Sequence, residues 1–166
     1  MWRLWLRRCR QKIGSRRGAE DAEKREDVRD IDLVSGDVLD VALKLHRELG
    51  PGLLESVYEA LLAGRLAKMG YPVSRQQVID IEFDGIRIEG AFKIDLMVDN
   101  RLIVEIKSIE RLLPVHAKQL LTYLRLTKQP VGLLINFGGD TLKEGVKRLV
   151  NNHISASSAP LRELKS

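Results

Sequence analysis

Two charged residues, Glu105 and Lys107, interrupt the otherwise apolar run Leu102, Ile103, Val104 and Ile106. Two positions apart on a strand, their side chains leave the same side. A second acid, Asp95, precedes them across a turn at Asp99-Asn100. If that turn is a three-residue connection, Asp99 to Arg101, Val98 pairs with Leu102 and Asp95 falls opposite Glu105. Directly opposed residues have Cβ atoms about 4.5–5.5 Å apart. In this register Phe92, Ile94, Leu96 and Val98 share a face with Leu102, Val104 and Ile106, while Asp95 shares the other with Glu105 and Lys107. A two-residue connection shifts the pairing, and the faces no longer match.

Two carboxylates this close repel unless positive charge stands between them. A divalent cation meets that need, with Lys107 at the edge of the pair. Phosphodiester hydrolysis uses such a set: the metal polarises a phosphoryl oxygen and acidifies a bound water, and a lysine orients that water or stabilises developing charge. The same residues also read as a cross-strand salt-bridge network without metal. Sequence spacing alone leaves both readings open.

Composition narrows the alternatives. With three histidines and one cysteine, Cys9, in 166 residues, the chain offers neither an internal disulfide nor a Cys/His zinc site. A metal would be held by carboxylates, which favours Mg²⁺ or Mn²⁺. No apolar run approaches the ~20 residues of a spanning helix, and a cytoplasmic protein is the simplest expectation. The net charge of +5 belongs to one end: residues 1–17 hold seven Arg/Lys and no acid. The other 149 residues carry 21 basic and 23 acidic side chains, a net of −2. The basic tail suits nucleic acid or anionic lipid, and on a helix Trp2, Trp5 and Cys9 would share one face, which suits a membrane-surface segment. It reads equally as a solvated leader.

These residues need elements to hold them. Residues 1–34 read as a charged leader, 35–152 as one folded domain and 153–166 as a loose tail. Within the domain, "SGDVLDVALKLHRELG" has helical periodicity and stops at Gly50-Pro51. A second helix is expected from Leu53 to Met69. "VIDIEFDGIRIEG" alternates around Asp84-Gly85, a two-residue hairpin signal. The hairpin at Asp99-Asn100 follows, then a helix over "PVHAKQLLTYLRLTK", an apolar strand "VGLLINF" and a closing helix over "DTLKEGVKRLVNN" capped by Asp140 or Thr141. The order predicts an α/β fold with an antiparallel meander and one parallel crossover strand. Both "LIVEIK" and "VGLLINF" read as central strands, so Glu105 and Lys107 are poorly explained as edge charges. On the third helix His116, Gln119 and Tyr123 fall on one polar stripe, which could border a cleft or simply face solvent. His116 is a weak general-base candidate, and Lys93, on the Asp95 face, is a weak phosphate contact.

The ordered motifs resemble a known family. Asp95, Glu105 and Lys107 form a D…E-x-K signature similar to that of the PD-(D/E)XK nuclease superfamily. "GPGLLESVYE" contains G-x-x-E-x-x-Y as Gly52, Glu55 and Tyr58. With "PVHAKQLLTYLRLT" and "VGLLINF" it resembles the GxxExxY family of that superfamily, over about Ser35 to Asn152. The resemblance implies a restriction-endonuclease-like αβββαβ core with a mixed central sheet flanked by helices. It implies a Mg²⁺- or Mn²⁺-dependent nuclease acting on DNA or RNA, with Glu55, Asp95 and Glu105 on the metal and Lys107 as the catalytic lysine. Gln119 and Tyr123 match the Q-x-x-x-Y motif of RecB-like members, which adds them to the candidate catalytic residues. Ile94 stands where the superfamily's name-giving proline would be. The competing expectation is a nuclease fold retained as a non-catalytic module that binds nucleic acid or protein.

Overall fold

A computed structural model describes residues 29–152. The expectations placed on the basic leader and the last residues lie outside this range. Helix α1 (Ile31–Leu49) is capped by Asp30, whose carboxylate accepts from the Asp32 N–H at 2.9 Å. It starts inside the segment read from sequence as leader, because Val34 is already a buried core residue. Helix α2 (Glu55–Lys68) follows a short connection in which Gly52 takes φ +108°, a conformation that glycine adopts without strain.

Strands β1 (Val73–Phe83) and β2 (Ile86–Val98) form the first hairpin, with Phe83 facing Ile86 across Asp84-Gly85. Both turn residues have positive φ, as a primed two-residue turn demands. Strand β3 (Leu102–Lys107) returns antiparallel to β2, with Val98 opposite Leu102. The three-residue connection expected from the sequence is therefore the one formed. Helix α3 (Pro114–Leu126) then crosses to β4 (Val131–Asn136), which runs parallel to β3.

The expected closing helix is not there. A short 3₁₀ turn (Leu142–Gly145) leads into β5 (Val146–Val150), antiparallel to β4. Buried β4 needs a partner for the backbone groups on its second edge, and β5 supplies it. A Cβ on Gly145 would stand 2.5 Å from the Asn136 carbonyl oxygen, so the chain joins the ladder where only glycine fits. The sheet order is β1-β2-β3-β4-β5, a mixed sheet in an α/β fold.

Helices cover both faces. On one, α1 and α2 pack Leu39, Leu45, Leu62 and Leu66 against Leu96, Val98, Leu102, Val104, Ile106, Leu133 and Ile135. On the other, Leu120 and Leu124 of α3 pack against Ile94, Met97, Ile103 and Leu134. The sequence expectation that Phe92 and Ile94 share the Leu96 face is thus corrected: both lie with Met97, and alternation along β2 breaks at Asp95. Across the break stands Gln76, whose φ of +49° marks a local irregularity in β1. No helix among the described residues is long and apolar enough to cross a membrane.

Candidate active site

The regular pairing of β2 with β3 runs from Val98–Leu102 to Leu96–Val104 and then stops. The next residue on β2 is Asp95, and its carboxylate replaces the ladder: Oδ2 accepts from the Ile106 N–H at 2.8 Å. Glu105 lies beside it, 5 % exposed, with Oε1 accepting from Lys107 Nζ at 2.9 Å. Glu55 opens α2, and its Oε1 accepts from the Ser108 N–H at 3.0 Å. Donors on three consecutive residues, 106, 107 and 108, therefore each orient one acid. The sequence-predicted acids and the lysine meet at one end of β3.

The G-x-x-E-x-x-Y motif is the device that docks α2 there. Tyr58 is fully buried and stacks on Phe137 with ring centroids 4.2 Å apart. Its hydroxyl donates to the Gly50 carbonyl at 2.6 Å and accepts from the Leu53 N–H at 3.3 Å, which pins the connection ahead of Glu55. The Ser108 hydroxyl donates to the Leu53 carbonyl at 2.7 Å, tying that connection to the end of β3.

The electrostatics are those of acids held against their preference. Burial pushes the Glu105 carboxyl above its ordinary range, and Asp95 and Glu55 push it further, against the pull of Lys107. Burial likewise raises Asp95, with Glu59 and Glu55 adding to it and the Ile106 N–H and Lys107 opposing. For Lys107 burial acts downward, but the bond to Glu105 and the three surrounding acids prevail and raise it. Glu105 Oε2 is buried and has no hydrogen-bond partner.

This orphaned oxygen tests whether a cation fits. A buried acceptor with no donor costs about 1–3 kcal/mol, more when charged, and the protein leaves it beside two further acids. The donor set is all oxygen, which suits a hard cation. Among the described residues no three acids converge as a closed metal cluster. Mg²⁺ does not require one, because it keeps several waters and takes one or two carboxylates besides phosphate oxygens. The oxygen donors gathered at this end therefore suit a hard divalent cation.

The remaining candidates lie elsewhere. Gln119 donates to the Tyr123 hydroxyl at 2.6 Å, and the Tyr123 ring stacks on Phe92, centroids 4.1 Å apart. They contact each other and β2, not the acids. His116 Nδ1 accepts from the Leu113 N–H at 3.1 Å and so caps α3. Lys93 is exposed on β2 opposite Val78. Sequence reasoning passed over Glu59 and Asn136, both buried. Glu59 lies one helical turn after Glu55 on the same face, and that spacing was the available signal.

No curated protein and no solved structure matches the chain. The sequence model of the PD-(D/E)XK nuclease superfamily matches residues 32–149, a span that includes Glu55, Asp95, Glu105 and Lys107. The chain belongs to the PD-(D/E)XK nuclease superfamily.

Proposed function

We propose that this protein is a divalent-metal-dependent nuclease of the GxxExxY type that hydrolyses phosphodiester bonds in DNA or RNA. The observation that carries the reading is the buried, partnerless Oε2 of Glu105, beside Asp95 and in bond distance of Lys107 through its other oxygen. In this reading Asp95 and Glu105 hold Mg²⁺ or Mn²⁺, with Glu55 at the same end of β3. When bound, the ion polarises a phosphoryl oxygen and lowers the pKa of an attacking water. Glu105 keeps Lys107 charged and fixed, so its ammonium can orient that water or meet negative charge developing on the phosphate. The Ile106 N–H holds Asp95 in place and α2 brings Glu55 to the same end. Gln119 and Tyr123, bonded to each other on α3 and stacked on Phe92 through the tyrosine ring, take no part in this chemistry.

The net charge of −2 over residues 18–166 favours a second reading, a module that binds without cleaving, because affinity for phosphates rests on basic side chains. Incubating the full chain with single- and double-stranded DNA and RNA in Mg²⁺, Mn²⁺ or chelator separates the two. The nuclease reading expects cleavage that needs the metal and disappears in Glu105→Gln. Cleavage that persists in that variant, or no cleavage of any substrate together with no Mn²⁺ binding by calorimetry, overturns it.

A further inference from the structure

Asp95 sits at the break in β2, and the residue across from it is conformationally costly. Gln76 holds φ +49° without being glycine, in a region that residues with a Cβ seldom occupy. The observable consequence is the reach of its side chain. Gln76 Nε2 donates to Glu59 Oε2 at 2.5 Å and stands 3.4 Å from Asp95 Oδ1, at the long end of hydrogen-bond range.

Glu59 is 4 % exposed, and its other oxygen accepts from Arg75 Nε at 2.8 Å. With both oxygens engaged it has no lone oxygen to offer a cation, which distinguishes it from Glu105. Its position fixes the Gln76 amide instead. An ionised carboxylate only accepts hydrogen bonds, and Gln76 lies between two of them. The amide must therefore turn its NH₂ toward both acids, and the flipped orientation would set its oxygen against them. Asp95 is thus gripped on two sides, through Oδ2 by the β3 backbone and at Oδ1 by an amide that Glu59 has oriented.

We propose that Gln76 and Glu59 are positioning residues for Asp95: Glu59 orients the Gln76 amide, and the amide holds the Asp95 carboxylate at the angle a cation requires. This rests on Asp95 being a cation ligand, as proposed above. Groups that orient metal ligands typically change metal affinity about 10–100-fold when removed.

Mn²⁺ calorimetry on the full chain tests it, with Gln76→Met, which keeps the side-chain length and loses the donors. Gln76→Gly serves as a second variant, because it also releases the left-handed backbone and so retains the fold. Both are expected to weaken Mn²⁺ binding about tenfold or more; Gln76→Met also strands Glu59 Oε2 and lowers the thermal midpoint, while in Gln76→Gly the release of the left-handed backbone offsets that loss. Crystal structures of wild type and Gln76→Met should show the Asp95 carboxylate rotated away from its wild-type orientation. Unchanged Mn²⁺ affinity, or an unmoved Asp95 carboxylate in Gln76→Met, overturns the proposal. A wild-type chain that binds no Mn²⁺ fails the parent reading instead, and the Asp95 orientation in the two structures still decides whether Gln76 holds it.

Discussion

Asn136 and Glu105 are buried polar residues on the adjacent central strands β4 and β3, 2 % and 5 % exposed. Their surroundings differ completely. Asn136 Oδ1 accepts from the Ile109 and Gly138 N–H groups at 3.0 and 3.1 Å, and Nδ2 donates to the Ile109 carbonyl at 2.8 Å. The packing is so close that a Cβ on Gly138 would lie 2.3 Å from the Ile109 oxygen. Glu105 has one oxygen on Lys107 and the other on nothing. The first residue ends its strand by clamping the loop that leaves β3. The second is an acid the fold does not satisfy. The contrast sets a buried polar residue that the fold satisfies against the one on which the proposed chemistry rests.

The largest expected effect sharpens the contrast on the chemical side. Lys107→Ala should lower the cleavage rate by about 10²–10³-fold, the range seen when one preorganised charge-stabilising group is lost. Substrate affinity should change far less, which single-turnover kinetics would separate. Glu105→Gln should likewise abolish cleavage while leaving the metal-free protein as stable as before or slightly more so. Its amide oxygen still accepts from Lys107, and a buried charge repelled by Asp95 is gone. A large fall in its thermal midpoint would show that Glu105 is structural after all.

The next effect tests the other half. Asn136→Ala strands two N–H donors and a carbonyl at a tight junction, and should cost on the order of 3 kcal/mol of stability by urea denaturation. If it costs nothing, Asn136 is not the structural member of the pair.

Most of the architecture was legible because it follows from local chemistry. Asp84-Gly85 and Asp99-Asn100 all adopt positive φ, and the apolar alternation on either side of the second turn fixed the register that brings Asp95 to the end of β3. Three features escaped for physical reasons. Residues 146–150 carry a pattern compatible with either period, and the need of β4 for a second partner decided it. The face switch at Asp95 depends on the backbone of Gln76, on a different strand. Glu59 reads as an ordinary helix glutamate, and only the approach of Arg75 and Gln76 from β1 buries it. The site's acids were visible as residue types; what holds them was not, because tertiary neighbours supply it.

The smallest expected effect probes the unsatisfied side by pH. Asp95 and Glu105 have folded-state pKa values above the ordinary carboxylate range of about 4, so the folded protein binds their protons more readily than the unfolded chain does. Stability contributed by these two groups therefore rises as pH falls from neutrality through their folded values, and levels off below the unfolded value. Lys107 is raised as well, so its contribution is fully present at neutral pH and is lost only in alkali, as pH climbs through its folded value. In chelator, wild type should gain thermal stability on moving from pH 7 toward pH 5 relative to Glu105→Gln, which lacks one of the two protonations. Asn136→Ala should keep the wild-type slope while lying lower at every pH, because an amide does not titrate. Equal slopes for wild type and Glu105→Gln would mean that Glu105 is no more strained than Asn136, and the contrast between the two residues would fall with it.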